Sequence, residues 1–379
     1  MNFNGLRLRD IREAFNLSRK ELADQIHVTE QSVWQYESNL ATPSFQILGN
    51  LNRIFGVSTA FFTKKNRISK VVSSTYVAYR SDIKHSVKNT ERETVFLSVV
   101  DDFINQLLVG VTLSSETIEK LSYEAISMKQ QGVPLDDIAH DVRRKLQIDD
   151  KNTMLIALIE KAGVFIIERS LNDKVDAYSA WTDQNRPYII LGTNKSGARR
   201  LFDVAHEFGH LLLHHNLEFD ETDTAATLRL EKEANAFASA LLLDKKLFIT
   251  NFQKYVSDPT DPKQYLNLKK FYNVSIGALE MRANGLGLME TQQSGFFWGR
   301  MTKLGYKKNE PLDSEIKLYI PGKIYAILNS FNRTKIRDLY DRTGVGRSFI
   351  EQLVARKILT DWSTMQHQPD NIIQMPTIH

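Results

Sequence analysis

The chain contains no cysteine among its 379 residues. This absence excludes disulfide bonds and thiol catalysis, and it means that any bound metal ion must be held by nitrogen and oxygen ligands. No apolar run approaches the ~18 residues of a membrane span, and the first residues lack the apolar core of a secretory signal. The formal net charge is only +4. We therefore expect a cytoplasmic protein of two or three domains, without a membrane partner.

The residues from Leu201 to Leu213 contain a His-Glu-x-x-His pattern inside an apolar run. If this run is helical, His206 and His210 lie one turn apart on the same face, where both imidazoles can bind one metal ion. Glu207 lies on the same turn, beside the open coordination position, and could accept a proton from an attacking water. A chance pair of histidines on a core helix is the alternative interpretation.

A second apolar helix is predicted over residues 231–243. Zinc in hydrolases usually takes three protein ligands and leaves the fourth position to water. Glu231 is the preferred third ligand, and Asn235, four residues later on the same face, could orient one of the histidines. Glu233 stays open as the rival ligand. His214 follows the first pattern at helical spacing and could be a third imidazole ligand, support a metal ligand or stabilise an oxyanion, but a surface position is the preferred interpretation for it.

These two segments, at residues 200–214 and 231–238, resemble the ImmA/IrrE family of metallopeptidases. The resemblance implies a zincin-like metallopeptidase domain with the following site residues: metal ligands His206, His210 and Glu231, and general base Glu207. Zn²⁺ is the expected ion, and Mn²⁺ is the alternative because no thiolate enforces selectivity. Family members cleave a DNA-binding repressor, so the resemblance also implies a repressor as the protein substrate.

Four short amphipathic helices are predicted near the start of the chain. Ser18 followed by Glu21 is the pattern of a capping box at the start of the second helix. Thr29 can cap the third helix, and Ser44 lies at the start of the fourth. Short helices joined by a tight turn are typical of the helix-turn-helix motif.

Residues 8–62 resemble the XRE or lambda-repressor-like family, on segments 18–23, 28–37 and 43–44. The resemblance implies a four- or five-helix domain whose third helix lies in the major groove of an operator in double-stranded DNA. It assigns to DNA the following residues: Thr29, Gln31, Ser32 and Gln35 near the bases, and Arg19 at the backbone. Paired half-sites would suit a homodimer. A helical module that packs on a partner and binds no DNA is the alternative.

The predicted fold class is mainly α, of the α+β type. The predicted divisions are a DNA-binding domain over 4–62, a basic linker over 63–95, a metallopeptidase domain over 96–250, a helical C-terminal extension over 251–362 and a disordered tail over 363–379. Short β-rich runs between residues 164 and 191 predict a small sheet beside the metal-binding helix. Residues 300–360 hold thirteen Lys/Arg against six Asp/Glu, which suits either nucleic acid or a solvated face.

The predicted function is that of a DNA-binding metallo-endopeptidase that hydrolyses a peptide bond in a repressor and so controls stress or mobile-element genes. One alternative is a transcriptional regulator whose metallopeptidase-like domain senses a ligand without cutting anything. Another is an antitoxin-like regulator that binds a partner protein.

Overall fold

The structure is a computed structural model of the chain. It describes the following residues: 3–66, 68, 70–72, 78–79, 87–111, 116–169, 171, 176–193, 195–215, 217, 224–317 and 319–353. The predicted tail, 363–379, lies outside the described residues, as do residues 73–77 and 80–86 of the predicted linker.

The described residues are mostly helical and form one small sheet, so the predicted fold class is confirmed. The helices are α1 Gly5–Ala14, α2 Arg19–Ile26, α3 Glu30–Glu37, α4 Phe45–Phe55, α5 Thr59–Thr63, α6 Val87–Leu107, α7 Glu116–Gln130, α8 Leu135–Leu146, α9 Leu155–Lys161, α10 Gly197–Leu213, α11 Thr224–Leu242, α12 Lys245–Tyr255, α13 Leu266–Tyr272, α14 Ile276–Gly285, α15 Thr291–Lys303, α16 Lys323–Asn329, α17 Arg333–Thr343 and α18 Arg347–Leu353. A short 3-10 helix, Pro262–Tyr265, precedes α13. Within the described part of the chain, no helix combines the length and apolar character needed to cross a membrane.

The sheet contains strands β1 Ala78–Tyr79, β2 Phe165–Arg169, β3 Ala177–Trp181 and β4 Pro187–Gly192, in the order β1-β3-β4-β2. Strands β2 and β4 are parallel, whereas β3 is antiparallel to both of its neighbours. Every residue of β4 is buried, which matches its aromatic and β-branched composition. Strands β3 and β4 are both inner strands of this sheet, and α10, the helix that carries the candidate site, packs against both of them.

The described chain divides into two compact units. The first comprises Met1–Ser74, His85–Thr112 and Gly322–His379, and the second comprises Thr75–Lys84 and Leu113–Pro321. These boundaries differ from the predicted ones. Helix α6 and helices α16 to α18 belong to the first unit. In the predicted divisions, most of α6 falls in the metallopeptidase domain and α16 to α18 fall in the C-terminal extension.

Apolar packing explains why α6 and the C-terminal helices join the first unit. Helix α6 packs against α1 and buries an apolar stripe that includes Val100 and Ile104. The ring of Phe349 in α18 lies 5.8 Å from the ring of Phe15 and 6.2 Å from that of Phe103, measured between centroids. Three segments that are distant in the sequence therefore share one core.

Local capping signals set the helix boundaries in the first 62 residues. The hydroxyl of Ser18 accepts a hydrogen bond from the backbone N–H of Glu21 at 3.1 Å, and the Glu21 carboxylate accepts one from the backbone N–H of Ser18 at 2.7 Å. The predicted capping box is therefore confirmed. His27, between α2 and α3, adopts a left-handed conformation with φ of 58°. Thr29 caps α3 by accepting from the N–H of Ser32 at 3.1 Å.

The Ser18→Ala variant is expected to lose about 1 kcal/mol of stability, because the backbone N–H of Glu21 loses the hydroxyl oxygen that accepts its hydrogen bond. Ser58 provides a matched control, since it is also an extended N-cap residue but its side chain accepts no capping hydrogen bond. Ser58→Ala should therefore change stability by less than about 0.5 kcal/mol. Urea denaturation followed by circular dichroism measures both variants. Equal losses would contradict the role assigned to the Ser18 hydroxyl.

Candidate metal centre and nucleic-acid interface

Helix α10 lies at the centre of the second unit, where it packs against α7, α11, β3 and β4. Its apolar side chains, among them Val204, Phe208 and Leu212, are buried. His206 and His210 are buried on the same helix, and their Nε2 atoms lie 3.1 Å apart. The helical spacing thus brings both rings to one point.

Glu231 on α11 completes a cluster of three donor groups. Its Oε2 lies 3.3 Å from Nε2 of His206, and its Oε1 lies 3.1 Å from Nε2 of His210. The two helices approach closely because Gly209 has no side chain, and a Cβ at that position would lie 3.0 Å from Cδ1 of Phe237. One donor atom from each of the three residues lies within 4.8 Å of the others. The arrangement can hold a cation.

Glu207 is fully buried on the same helix. Ser179, in the middle of β3, donates a hydrogen bond from Oγ to Oε2 of Glu207 at 2.7 Å. Trp181 lies two residues further along β3 and therefore on the same face of the sheet, and its Nε1 donates to the carbonyl oxygen of Leu211 at 3.2 Å. The Ser179 hydroxyl fixes the orientation of the Glu207 carboxylate. Ser179 is absent from the predicted site residues, since a serine in a short strand carries no signal beyond the alternation of its neighbours.

The four residues predicted to face DNA bases lie at the start of α3 and along it. Gln31 and Thr29 are exposed, whereas Ser32 and Gln35 are half-buried. The hydroxyl oxygens of Thr29 and Ser32 lie 2.9 Å apart, so part of their hydrogen-bonding capacity is used within the helix start. The amide group of Gln31 is presented to solvent.

Arg19, predicted to contact the DNA backbone, forms an ion pair within the helix-turn-helix. Its Nε donates to Oε2 of Glu37 at 2.6 Å, and Arg12 donates from its own Nε to the other oxygen at 2.5 Å. Glu37 is buried, whereas about a third of the Arg19 side chain, 36%, is exposed. The buried carboxylate therefore positions a guanidinium group that still reaches the surface.

Models of two known families match this chain, one over its first helices and one over the segment that holds the three-donor cluster. A model described as a helix-turn-helix matches residues 8–62. A model of a peptidase family, described as the IrrE N-terminal-like domain, matches residues 159–284. The chain combines a helix-turn-helix domain with an IrrE N-terminal-like domain. The second match includes β2 to β4, α10 and α11, and thus every residue of the three-donor cluster.

The chain is also similar to a protein of Methanothermobacter thermautotrophicus that is named as an HTH-type transcriptional regulatory protein. The two are 37% identical over 57 residues, a length close to that of the helix-turn-helix match. The similarity covers 15% of this chain and 18% of that protein. It therefore concerns one segment of domain size and leaves most of both proteins unmatched.

The donor atoms of the IrrE-like domain fit a zinc ion. A tetrahedral Zn²⁺ site with nitrogen and oxygen ligands at ~2.0–2.2 Å separates neighbouring ligand atoms by about 3.3–3.6 Å, slightly more than the separations in this cluster. The separations in the cluster are 3.1 Å, 3.1 Å and 3.3 Å. Burial by itself raises the pKa of Glu231, but hydrogen bonds with His206 and His210 outweigh it and hold that pKa far below its ordinary value. Glu231 is thus held as a carboxylate, the form that binds a cation.

Glu233, the rival third ligand in the IrrE-like domain, contacts other residues. Its Oε2 lies 3.0 Å from Nε2 of His214, and Lys129 forms an ion pair with the same oxygen. His214 is buried, so the predicted surface position for this residue is wrong. The four-residue spacing places it on the same face of α10 as His206 and His210. Burial, reinforced by neighbouring His210, lowers the pKa of His214 far below its ordinary value.

Asn235 contacts His206, the first histidine of the IrrE-like domain. Its Oδ1 lies 3.0 Å from Nδ1 of His206. When His206 binds an ion through Nε2, its hydrogen lies on Nδ1, which then donates to the oxygen of Asn235. The amide therefore orients a ring in the way that metal ligands are usually oriented by their neighbours.

Proposed function

We propose that the chain is a DNA-binding metallopeptidase. In this proposal the helix-turn-helix domain binds an operator, and the IrrE-like domain hydrolyses a peptide bond in a transcriptional repressor. The observation that carries the proposal is the meeting of His206, His210 and Glu231 on the helices that also carry the buried carboxylate of Glu207. Two imidazoles and one carboxylate, with a further carboxylate beside them, are the set of groups that many zinc hydrolases use.

In the proposed reaction, His206, His210 and Glu231 hold the ion. The chemistry that a bound Zn²⁺ or Mn²⁺ supplies is Lewis acidity toward water and toward the peptide carbonyl. Glu207 accepts the proton of the attacking water on its carboxylate and transfers it to the nitrogen of the leaving amine. Ser179 donates to Oε2 of Glu207 and so keeps the carboxylate in one orientation during both transfers.

The proposed role of the helix-turn-helix domain is to place the peptidase near its substrate. Gln31 and Gln35 suit the adenine edges of the major groove, whereas Thr29 and Ser32 suit either a base or a phosphate. Arg19 suits the DNA backbone, and a homodimer would read paired half-sites. Because both domains belong to one chain, binding at an operator would raise the effective concentration of the peptidase around a repressor at the same site. Cleavage would then release the genes that the repressor controls.

Metal content and cleavage test the proposal together. The wild type is expected to contain about one Zn²⁺ or Mn²⁺ per chain and to cleave a helix-turn-helix repressor. The Glu207→Gln variant is expected to keep the ion and to cleave about a hundredfold more slowly, because the amide cannot accept the proton. Plasma mass spectrometry measures the metal, and mass spectrometry of purified repressors measures cleavage.

Ser179→Ala is the matched control for Glu207→Gln. It leaves the carboxylate in place and removes one hydrogen bond to it, so the loss should be smaller than about tenfold. A wild type that binds the ion and leaves all tested repressors intact would contradict the peptidase function. That outcome would favour a regulator whose metal-binding domain senses a ligand.

A further inference from the structure

Within the second unit, a chain of polar contacts extends outward from the candidate metal cluster. Nδ1 of His210 lies 2.9 Å from Nδ1 of His214. Nε2 of His214 lies 3.0 Å from Oε2 of Glu233, and Lys129 forms an ion pair with that same oxygen. His210 lies in α10 and His214 is the residue that follows this helix, whereas Glu233 lies in α11 and Lys129 in α7. The contacts therefore link three helices behind one metal ligand.

The direction of these hydrogen bonds follows from the role of His210. A neutral imidazole that binds an ion through Nε2 carries its hydrogen on Nδ1. Nδ1 of His210 therefore donates, and Nδ1 of His214 must accept. The hydrogen of the neutral His214 ring then lies on Nε2, which donates to the carboxylate of Glu233. Lys129 donates to the same carboxylate and balances its charge.

We propose that His214 is a positioning residue that holds the His210 ring in its metal-binding orientation and in the form with hydrogen on Nδ1. This inference rests on the proposed metal site. His206 receives the equivalent support from Asn235, at 3.0 Å. The two ligands are thus oriented by different means, an amide for His206 and an imidazole backed by an ion pair for His210.

Burial strengthens the assignment. The side chain of His214 is fully enclosed, and about a third of each of the Glu233 and Lys129 side chains is exposed. The imidazole therefore cannot exchange its two contacts for water without a movement of α10 or α11. Replacement of His214 should free the His210 ring to rotate and should lower the affinity for the ion by about 10- to 100-fold.

Zinc affinity, measured by competition with a chromophoric chelator, tests the proposal on the full chain. We expect His214→Phe, which keeps a ring and loses both contacts, to bind Zn²⁺ about 10- to 100-fold more weakly than the wild type. His214→Asn keeps an acceptor near the position of Nδ1, and we expect it to recover most of that loss. His215→Phe is the control, because His215 is the next residue and stacks on Trp181, 4.2 Å away between ring centroids. It should bind zinc as the wild type does.

A spectroscopic readout separates positioning from general stability. In the zinc-loaded wild type, nitrogen-15 NMR should find a slowly exchanging hydrogen on Nδ1 of His210, and His214→Phe should lose it. If His214→Phe fails to fold, the comparison rests on His214→Asn and on this resonance. Equal zinc affinity in wild type and in folded His214→Phe would overturn the inference and leave the metal site intact. A wild type that binds no zinc would instead overturn the proposed function on which the inference rests.

Discussion

The Glu231→Gln variant is expected to bind Zn²⁺ about 100- to 1000-fold more weakly than the wild type. Zinc sites built from protein ligands are worth roughly 10–16 kcal/mol in total, so one of three or four ligands carries about 3–4 kcal/mol, and each 1.4 kcal/mol is a factor of ten. Glutamine keeps the length of the side chain and removes its negative charge. Without that charge, the two imidazoles at 3.3 Å and 3.1 Å face a weak neutral ligand. Competition with a chelator measures the affinity.

Glu233→Gln is the control for Glu231→Gln, because it removes a carboxylate from the same helix two residues later. Its carboxylate contacts His214 and Lys129, which lie outside the three-donor cluster. We therefore expect it to weaken zinc binding by less than about tenfold, since it alters only the outer end of the contacts behind His210. A larger loss in Glu233→Gln than in Glu231→Gln would reverse the assignment of the third ligand.

The sequence is informative about the metal cluster because much of the geometry is local. His206 and His210 belong to one helix, and the helical period alone brings their rings together. The preference for Glu231 came from its place on a second helix and from the resemblance to a family. The surface position predicted for His214 failed because its environment depends on α7 and α11, which are distant in the sequence. Helical spacing places a residue on a face but does not say what covers that face.

In the first unit, too, local features could be predicted from the sequence, whereas packing between distant segments could not. Ser18 and Thr29 act on backbone groups within three residues of themselves, so their caps could be predicted from the sequence. The helices of the C-terminal extension were also predicted. Their partners were not, because an apolar stripe indicates burial without indicating which surface covers it. The structure supplies that missing information by placing Phe349 against the ring of Phe15, just after α1, and the ring of Phe103 in α6.

Backbone contacts around Gly344 join the C-terminal helices to the helix-turn-helix domain. The carbonyl oxygen of Gly344 accepts from the N–H of Ser58 at 2.7 Å, and Val345 forms an antiparallel bridge with Val57. Gly344 itself has a φ of +70°, and a Cβ at this position would lie 2.6 Å from the backbone nitrogen of Phe61. A side chain here meets both a strained backbone conformation and a neighbour that cannot rotate away.

Gly344→Ala is therefore expected to destabilise the first unit by about 3–5 kcal/mol, since about 1–2 kcal/mol of conformational strain adds to the cost of forcing the two backbones apart. Gly110→Ala is the matched control, because Gly110 lies in the same unit with a φ of +72° and has no atom within 4 Å of the added Cβ. It should lose only the conformational part, about 1–2 kcal/mol.

Hydrogen–deuterium exchange of peptides from α1 to α5 measures the effect where it arises, and Gly344→Ala should accelerate exchange there far more than Gly110→Ala does. Equal exchange in the two variants would mean that the C-terminal helices contribute little to the helix-turn-helix domain. Faster exchange in Gly344→Ala alone would mean that the stability of the helix-turn-helix domain depends on residues near the other end of the described chain.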